Sequence, residues 1–226
     1  MPVVILVRHG RTPANAQGIL AGWSPDVHLD DVGREQAATA GTRLSGLRLA
    51  AIVASPLDRT RETADAISAA QRRSPAVETD ERLGECAYGE WTGRPLKELS
   101  RLSLWRTVQE RPSAVTFPGG ESMMSMQTRA LAAVHEWNES LGARAVYVMV
   151  SHGDVIKAIL ADALGTHLDH FQRIVVDPGS VSVIRYGRTS AQVVHVNDRG
   201  SDLTSLARAA RRRRVEAAVG GGSGER

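Results

Sequence analysis

Short apolar runs alternate along the chain with longer stretches in which apolar residues recur at helical spacing. The runs VVILV (3–7), AAIVA (50–54) and AVYVMV (145–150) are apolar throughout, as is typical of strands buried on both faces of a sheet. Apolar residues recur at helical spacing in three segments: 37–47, 124–141 and 155–163. This alternation predicts an α/β fold, a three-layer α/β/α sandwich whose central sheet is mainly parallel.

The last part of the pattern is different and predicts short strands separated by turns. IVV (174–176), VSVIRY (181–186) and AQVVHV (191–196) are divided by the turn sequences DPGS and GRTS, which favours an antiparallel edge to the sheet. The least regular segment, 80–120, is rich in Gly, Pro and Arg. We expect it to form a cap over one end of the sheet within a single domain that covers residues 1–203.

Composition agrees with one globular domain in a reducing compartment. The chain has 226 residues, 42% of them hydrophobic, and a chain of this size buries enough surface to fold without disulfide bonds. Cys86 is the only cysteine, so an intramolecular disulfide is impossible. The start of the chain does not resemble a signal peptide, and no stretch approaches the roughly 20 apolar residues of a membrane span. A cytoplasmic protein without a membrane partner is therefore expected.

The net charge of +3 is concentrated at the end of the chain. Residues 199–226 carry seven arginines and three acidic residues, which leaves 21 basic and 22 acidic residues in 1–198. A basic run followed by Gly and Ser predicts a flexible tail over 204–226. Because the rest is nearly neutral, no nucleic-acid partner is expected, and the tail is the only feature that favours an anionic one.

Polar residues follow three of the predicted strands at the point where each strand ends. Arg8 and His9 end the first run, Ser55 ends the second with Arg59 one turn later, and His152 follows the third. Thr12 and Ser55 each precede a proline and are predicted as helix N-caps. Because ligands bind outside the carboxyl ends of strands in open α/β sheets, these side chains are expected to meet there. Arginines, imidazoles and helix N-termini together suit a phosphoryl group.

Four sequence blocks resemble the histidine phosphatase superfamily, also called phosphoglycerate mutase-like. They are LVRHGRTPAN, ASPLDRTRETA, RLGECAYGEWTG and MVSHGDVIKAIL; they occur in the family's order and span residues 3–160. The resemblance implies the phosphoglycerate mutase-like fold and chemistry through a phosphorylated histidine. It favours the phosphatase branch, without a metal or other cofactor and with a small phosphomonoester as substrate.

The resemblance also assigns roles to individual residues. His9 is expected to be the nucleophile and Glu85 the acid that protonates the leaving alcohol. Arg8, Arg59 and His152 are expected to bind the phosphoryl oxygens. Further phosphate-binding or substrate-binding positions are expected at Asn15, Gly153, Gly22 and Tyr88. Asp80, Glu81 and Glu90 lie near Glu85, but the family pattern selects Glu85.

Two departures from the family pattern bear on the reaction. Arg11 stands where many relatives have glutamate, and this extra cation either tightens anion binding or points to solvent. The mutases of the family carry a pair of adjacent arginines after the acid, whereas the arginines of segment 94–111 are spread out. Hydrolysis is therefore favoured over phosphomutase action, and a catalytically weak phosphate sensor is the third alternative. A homodimer is possible.

Other chemistries fit the sequence less well. A cysteine phosphatase needs arginine six positions after its cysteine, but position 92 is Thr92, so Cys86 does not qualify. His167 and His170 have spacing that also suits a metal but are interpreted as surface residues. No GxxxxGK loop occurs, which excludes a P-loop. Trp91, Trp105 and Phe117 form either an apolar substrate wall or, more in keeping with their setting, the core of segment 80–120.

Overall fold

Among residues 1–73 and 75–200, which the computed structural model describes, six strands form one sheet. Its order is β3-β2-β4-β1-β5-β6, with parallel pairing from β3 to β1 and antiparallel pairing of β5 and β6. The central pair is β1 and β4, in which Val3 pairs with Val146 and Arg8 with Ser151. The strands are β1 (Val3–Arg8), β2 (Ile52–Ala54), β3 (Val77–Thr79), β4 (Val146–Ser151), β5 (Val181–Tyr186) and β6 (Ala191–Asp198).

Helices connect the strands and cover both faces of the sheet. The α-helices are α1 (Pro13–Gln17), α2 (Asp31–Leu44), α3 (Asp58–Ala69), α4 (Leu96–Leu99), α5 (Ser103–Glu110), α6 (Met123–Leu141) and α7 (Gly153–Ala163). Single turns of 3₁₀-helix lie at Glu81–Leu83, Gly89–Trp91 and Pro112–Ala114, and a longer one at Leu168–Arg173. None of the helices in the described part of the chain is long and apolar enough to cross a membrane.

Alternation along β1 divides its side chains between two apolar layers. Ile5 and Val7 pack with Ala40 of α2 and Ile67 of α3, whereas Val4 and Leu6 belong to a second cluster with residues of α6 and α7. Successive strand residues point to opposite faces, so a continuously apolar strand requires cover on both sides. The predicted three-layer sandwich with a mainly parallel sheet and an antiparallel edge is confirmed.

Two details of the strand prediction differ from the structure. The strand predicted at 174–176 is wrong, because the Ile174 amide donates to the Phe171 carbonyl and the Val176 carbonyl accepts from Arg8. These backbone groups therefore form hydrogen bonds outside the sheet. The edge strand β3 was not predicted, because its one apolar residue, Val77, gives no alternating pattern. The predicted tail at 204–226 lies outside the described residues.

Segment 80–120 contributes its apolar side chains to the core on the α6 and α7 side of the sheet. Trp91 and Phe117 are buried there with ring centroids 5.2 Å apart, and Trp105 stacks on Trp91 at 6.2 Å. The aromatic residues of this segment thus fill its core. Of the two interpretations given above, the structure favours the core: Trp91 and Phe117 are buried in it, and the half-buried Trp105 packs against it.

Candidate active site

The three predicted polar strand ends lie side by side at the carboxyl ends of the parallel strands. Strands β2, β4 and β1 are neighbours in that order, so Ser55, His152 and His9 leave the sheet next to one another. The Ser55 amide donates to the Val150 carbonyl and the His9 amide to the Ser151 carbonyl, each at 3.0 Å. The sheet hydrogen bonds thus continue up to the functional side chains and fix where each one begins.

His9 is held as a neutral imidazole with one nitrogen bonded to the backbone. Its Nδ1 lies 2.7 Å from the Gly10 carbonyl oxygen, which only accepts, so Nδ1 carries the proton and Nε2 has a lone pair. Burial, together with the charges of Arg59 and Arg8, holds the pKa of His9 well below its usual value. Gly10 is required here because a Cβ would lie 2.3 Å from the carbonyl oxygen of Gly33.

Arg59 lies in the first turn of α3 and has one nitrogen that bonds to nothing in the described part of the chain. Its Nη2 donates to the Gly22 carbonyl at 2.8 Å, while Nη1 is buried without a hydrogen-bond partner. Gly22 adopts a φ of +53°, and a Cβ there would lie 2.8 Å from Thr92 Oγ1. A buried guanidinium N–H without an acceptor costs free energy, so this group is suited to bind an anionic ligand.

His152 lies between Arg59 and Ser55 and is completely buried. Its Nδ1 lies 3.2 Å from Arg59 Nη2, and its Nε2 lies 2.8 Å from Ser55 Oγ. Burial and the positive charge of Arg59 lower its pKa well below the usual value. The ring centroids of His152 and His9 are 5.3 Å apart, so the two imidazoles face the same small volume.

Arg8, the last residue of β1, completes this group from the side of β5. Its side chain is fully buried, and Nη1 donates to the Val176 carbonyl at 2.8 Å. Burial lowers the pKa of both guanidinium groups, but arginine stays protonated in proteins. Arg8, His9, Arg59 and His152, which we call the phosphate cage, therefore combine two fixed cations with two neutral imidazoles.

Glu85 reaches the phosphate cage from a loop that is bonded to the sheet and to α6. Ser151 Oγ donates to the Leu83 carbonyl at 2.7 Å, and Arg129 donates to the Glu85 carbonyl at 2.9 Å. The indole N–H of Trp23 donates to the same Glu85 carbonyl at 2.5 Å. Several independent bonds thus fix the backbone that carries the carboxyl group.

Glu85 is 4% exposed, and its carboxyl group has a raised pKa. Burial is the main cause, and the charge of Asp154 adds to it, so the pKa of Glu85 rises to about 7 although Arg59 and Arg8 oppose the change. Its Oε1 accepts from the Cys86 amide at 3.0 Å, and its Oε2 lies 3.9 Å from His152 Nδ1. Glu85 thus has both the position and the proton affinity of a general acid near neutral pH.

Comparison with known proteins assigns this arrangement to a family. The sequence model of the histidine phosphatase superfamily (branch 1) matches residues 4–199. The chain belongs to this superfamily. The resemblance seen in the four sequence blocks is confirmed.

Relatives within the superfamily are named mostly as phosphatases. Glucosyl-3-phosphoglycerate phosphatase of Mycolicibacterium vanbaalenii is 34% identical over 74% of this chain and 76% of its own length. Phosphoserine phosphatase 1 of Hydrogenobacter thermophilus is 30% identical over 87% and 92%. A probable phosphoglycerate mutase, GpmB of Salmonella choleraesuis, is 33% identical over 81% and 84%. The solved structure of Bacillus stearothermophilus YhfR superimposes with a TM-score of 0.80 at 29% identity, covering 88% of this chain and 98% of that one.

The remaining positions predicted from the family pattern differ in their contacts. The Asn15 side-chain Oδ1 accepts from the amide and hydroxyl of Thr12, and Thr12 Oγ1 accepts from the Asn15 amide, which forms the predicted N-cap of α1. Gly153 begins α7 directly after His152. The Tyr88 hydroxyl is buried and donates to Asp154 at 2.8 Å. Substrate contact by these residues stays a prediction.

The structure also gives the contacts of three other residues that the sequence analysis singled out. Ser55 does not cap a helix as predicted, because α3 begins at Asp58 with Leu57 as its N-cap and the Ser55 hydroxyl contacts His152. Arg11 is ion-paired with Asp30 at 2.8 Å. His167 contacts Asp169 at 3.2 Å and is not part of any potential metal-binding group found in the described ranges.

Several residues that organise the site were not selected from the sequence. Arg129 bonds to the backbone carbonyls of the Glu85 loop and pairs with Glu121 at 2.6 Å. Trp23 and Asp154 also act next to Glu85. Asp154 directly follows the SHG block, which was a usable signal, but nothing in the sequence places Arg129 against a loop 44 residues away.

Proposed function

We propose that this protein is a metal-independent phosphatase that hydrolyses small phosphomonoesters through a phosphohistidine at His9. The observation that carries the proposal is the phosphate cage: a histidine whose Nε2 is unprotonated, beside a buried Arg59 Nη1 that lacks an acceptor among the described residues. Phosphoryl transfer is catalysed mainly by positioning and fixed positive charge. The cage supplies both, and the proposal therefore requires no metal ion.

In the first step His9 Nε2 attacks phosphorus and the bond to the leaving oxygen breaks. Arg8 and Arg59 stabilise the charge on the non-bridging oxygens. His152 contributes by holding Arg59: its Nδ1 accepts from Arg59 Nη2, which can only donate, so the ring is protonated at Nε2 and donates from there to the Ser55 hydroxyl. The Gly10 carbonyl accepts a hydrogen bond from the Nδ1–H of His9 throughout and stabilises the positive charge that the ring acquires.

Glu85 completes both halves of the reaction. It gives its proton to the leaving oxygen, which departs as an alcohol. The resulting carboxylate then takes a proton from water as that water attacks the phosphohistidine, which releases orthophosphate and restores neutral His9. A carboxyl group with a pKa of about 7 suits both roles at neutral pH.

The proposal extends to the organisation of the chain. Residues 1–203 are the catalytic domain, and segment 80–120 is the excursion that supplies Glu85. The substrates are small phosphate esters, because relatives are named for phosphoserine and for glucosyl-3-phosphoglycerate. A cytoplasmic location is proposed from the single, buried cysteine.

Release of orthophosphate from a panel of phosphorylated metabolites tests this function. The panel contains phosphoserine, glucosyl-3-phosphoglycerate and 3-phosphoglycerate, together with an aryl phosphate. Each incubation is analysed for free orthophosphate and for isomerised product. We expect orthophosphate release, together with an acid-labile phosphoryl group on the protein after rapid quenching.

The same assay separates the phosphatase from the mutase alternative. Isomerisation of 3-phosphoglycerate without phosphate release would identify a mutase, a function that the named relative GpmB keeps open. Against that outcome, Arg94 and Arg106 lie at the surface beside Glu98 and Glu110, at 4.0 and 3.5 Å. Binding of a phosphate ester without any turnover would instead indicate a sensor.

A further inference from the structure

A cluster of buried polar side chains lies behind the Glu85 loop and takes no direct part in the proposed reaction. The Tyr88 hydroxyl donates to Asp154 Oδ2 at 2.8 Å, and Lys157 Nζ lies 3.7 Å from Asp154 Oδ1. Lys157 also donates to Gln172 Oε1 at 3.0 Å. We call Tyr88, Asp154, Lys157 and Gln172 the Asp154 cluster. Tyr88, Asp154 and Lys157 are each at most 2% exposed.

Burying this many ionisable groups has a free-energy cost that packing alone does not require. An apolar replacement of a buried ion pair is often neutral or stabilising. Lys157 also lies 5.5 Å from the Phe171 ring centroid, in surroundings that lower its pKa through burial. A fold that needed only core packing would be served at least as well by apolar side chains at these positions.

The position of the Asp154 cluster connects the two halves of the active site. Asp154 lies in the first turn of α7, two residues after His152, where a negative charge also interacts favourably with the helix dipole. Tyr88 lies three residues after Glu85 on the loop that carries the acid. The cluster therefore joins the helix of the cage to the loop of the general acid.

The charges with the largest effects on Glu85 come from three elements, α3, β1 and α7. Arg59 of α3 and Arg8 of β1 favour its ionised form, while Asp154 of α7 favours its protonated form. Tyr88 keeps its proton because burial raises its pKa well above the usual value. Without Asp154, two fixed cations and the amide of Cys86 would act on this carboxyl group with no negative charge from the cluster to offset them.

We propose that Asp154 is a positioning residue that acts on the reaction through Glu85. Held between Tyr88 and Lys157, its carboxylate offsets the arginine charges of the cage and keeps the proton on Glu85 until the leaving group takes it. Lys157 moderates this effect from the other side of Asp154. The inference rests on the proposed function, in which Glu85 is the acid.

The test compares two variants that change the cluster charge in opposite directions. Asp154→Asn removes a negative charge and keeps the acceptor for Tyr88, whereas Lys157→Met removes the positive charge and keeps much of the side-chain volume. The readout is the alkaline limb of the pH profile of kcat/KM for an alkyl phosphate. This limb reports the pKa of the general acid in the free enzyme. We expect the limb to move to lower pH in Asp154→Asn and to higher pH in Lys157→Met. The midpoints of the two variants should differ by about one pH unit or more.

A smaller difference between the two variants, or one of opposite sign, would overturn the inference, because a purely structural cluster would not move the limb in opposite directions. If Asp154→Asn does not fold, Lys157→Met is compared with the unmodified enzyme: a raised limb supports the inference and any other result overturns it. Glu85→Gln identifies the limb by removing it. An unmodified enzyme without turnover would refute the proposed function instead, so the two failures are distinguishable.

Discussion

The phosphate cage and a second histidine-containing cluster, on the surface, differ in burial and in the charges next to their histidines. The comparison shows that side chains of the same type acquire different proton affinities in the two places. Asp26, His28 and Asp58 bring their potential ligand atoms within 4.8 Å of one another. Asp58 and Arg59 are adjacent in the chain, so one turn of α3 contributes a residue to each group. The cage is buried and its two histidines lie beside arginines, whereas the surface cluster is mostly exposed and its histidine lies beside carboxylates.

The same side chain therefore has opposite properties in the two places. The pKa values of His9 and His152 are lowered by burial and by arginines, while the Glu62 carboxylate raises the pKa of His28. His28 Nδ1 already contacts Glu62 at 2.5 Å. Neutral imidazoles beside a buried arginine whose Nη1 has no acceptor among the described residues suit nucleophilic chemistry, whereas a hydrated imidazolium beside carboxylates does not.

The strongest way to break this comparison is to remove one histidine from each place. His9→Ala is expected to lower kcat for an aryl phosphate at least about a thousandfold, because the covalent route needs its Nε2. His28→Ala is the matched control and should retain the activity of the unmodified enzyme. Circular dichroism checks that both variants fold. Comparable activity in the two variants would refute the role of His9.

Removing one carboxyl group from each place is expected to have a smaller, substrate-dependent effect. Glu85→Gln cannot protonate the leaving oxygen, so kcat for an alkyl phosphate should fall about a hundredfold or more. Aryl phosphates should lose less, because phenolate leaves without prior protonation. Glu62→Gln, which removes the half-buried carboxylate that contacts His28 of the surface cluster, is the control. An equal loss of kcat on both substrate types would argue against Glu85 as the acid.

Metal removal should leave the activity unchanged although the surface cluster has ligand-type residues. The cage supplies its own positive charge through Arg8 and Arg59, so prolonged dialysis against EDTA is expected to leave kcat within assay error. The triple variant Asp26→Asn, His28→Gln, Asp58→Asn should behave alike. Activity that falls in EDTA and returns with a divalent ion would contradict metal independence.

The smallest effect expected is on stability, and its sign differs between the two places. The raised folded pKa of His28 means that the folded state binds its proton more tightly. This stabilisation is fully present below the unfolded pKa of about 6.5 and is lost as pH rises through the folded pKa. The lowered pKa values of His9 and His152 act the other way, so they reduce stability as pH falls below about 6.5.

Histidine NMR titration measures these directions directly. The ring signals of His28 should titrate above the usual value, while those of His9 and His152 should remain those of neutral imidazole at mildly acidic pH. Urea unfolding of His28→Gln at pH 5.5 and 8 should show a loss of free energy of unfolding only at the lower pH. A cage imidazole that titrates like His28 would remove the basis of the comparison.

The local sequence pattern was sufficient to predict most of the helices and strands. It did not predict the contacts of every polar residue at their ends. The helical spacing at 124–141 corresponds to α6, Met123–Leu141, and the apolar run at 145–150 to β4. Ser55 followed by proline has the signature of an N-cap, yet its hydroxyl contacts His152, which is 97 residues away. A capping signal describes what a side chain can do locally, while the partner that it finds depends on which strands are neighbours.

The sequence by itself determined the residue types and the order of the elements. Apolar runs that end in arginine, histidine and serine imply a parallel sheet with polar strand ends, because periodicity and side-chain chemistry are local properties. Only the tertiary structure decided that β2, β4 and β1 are neighbours, that Nη1 of Arg59 is buried without a partner among the described residues, and that the charge of Asp154 raises the pKa of Glu85. Proton affinity depends on burial and on charges that act through space, and neither is encoded in the spacing of residues along the chain.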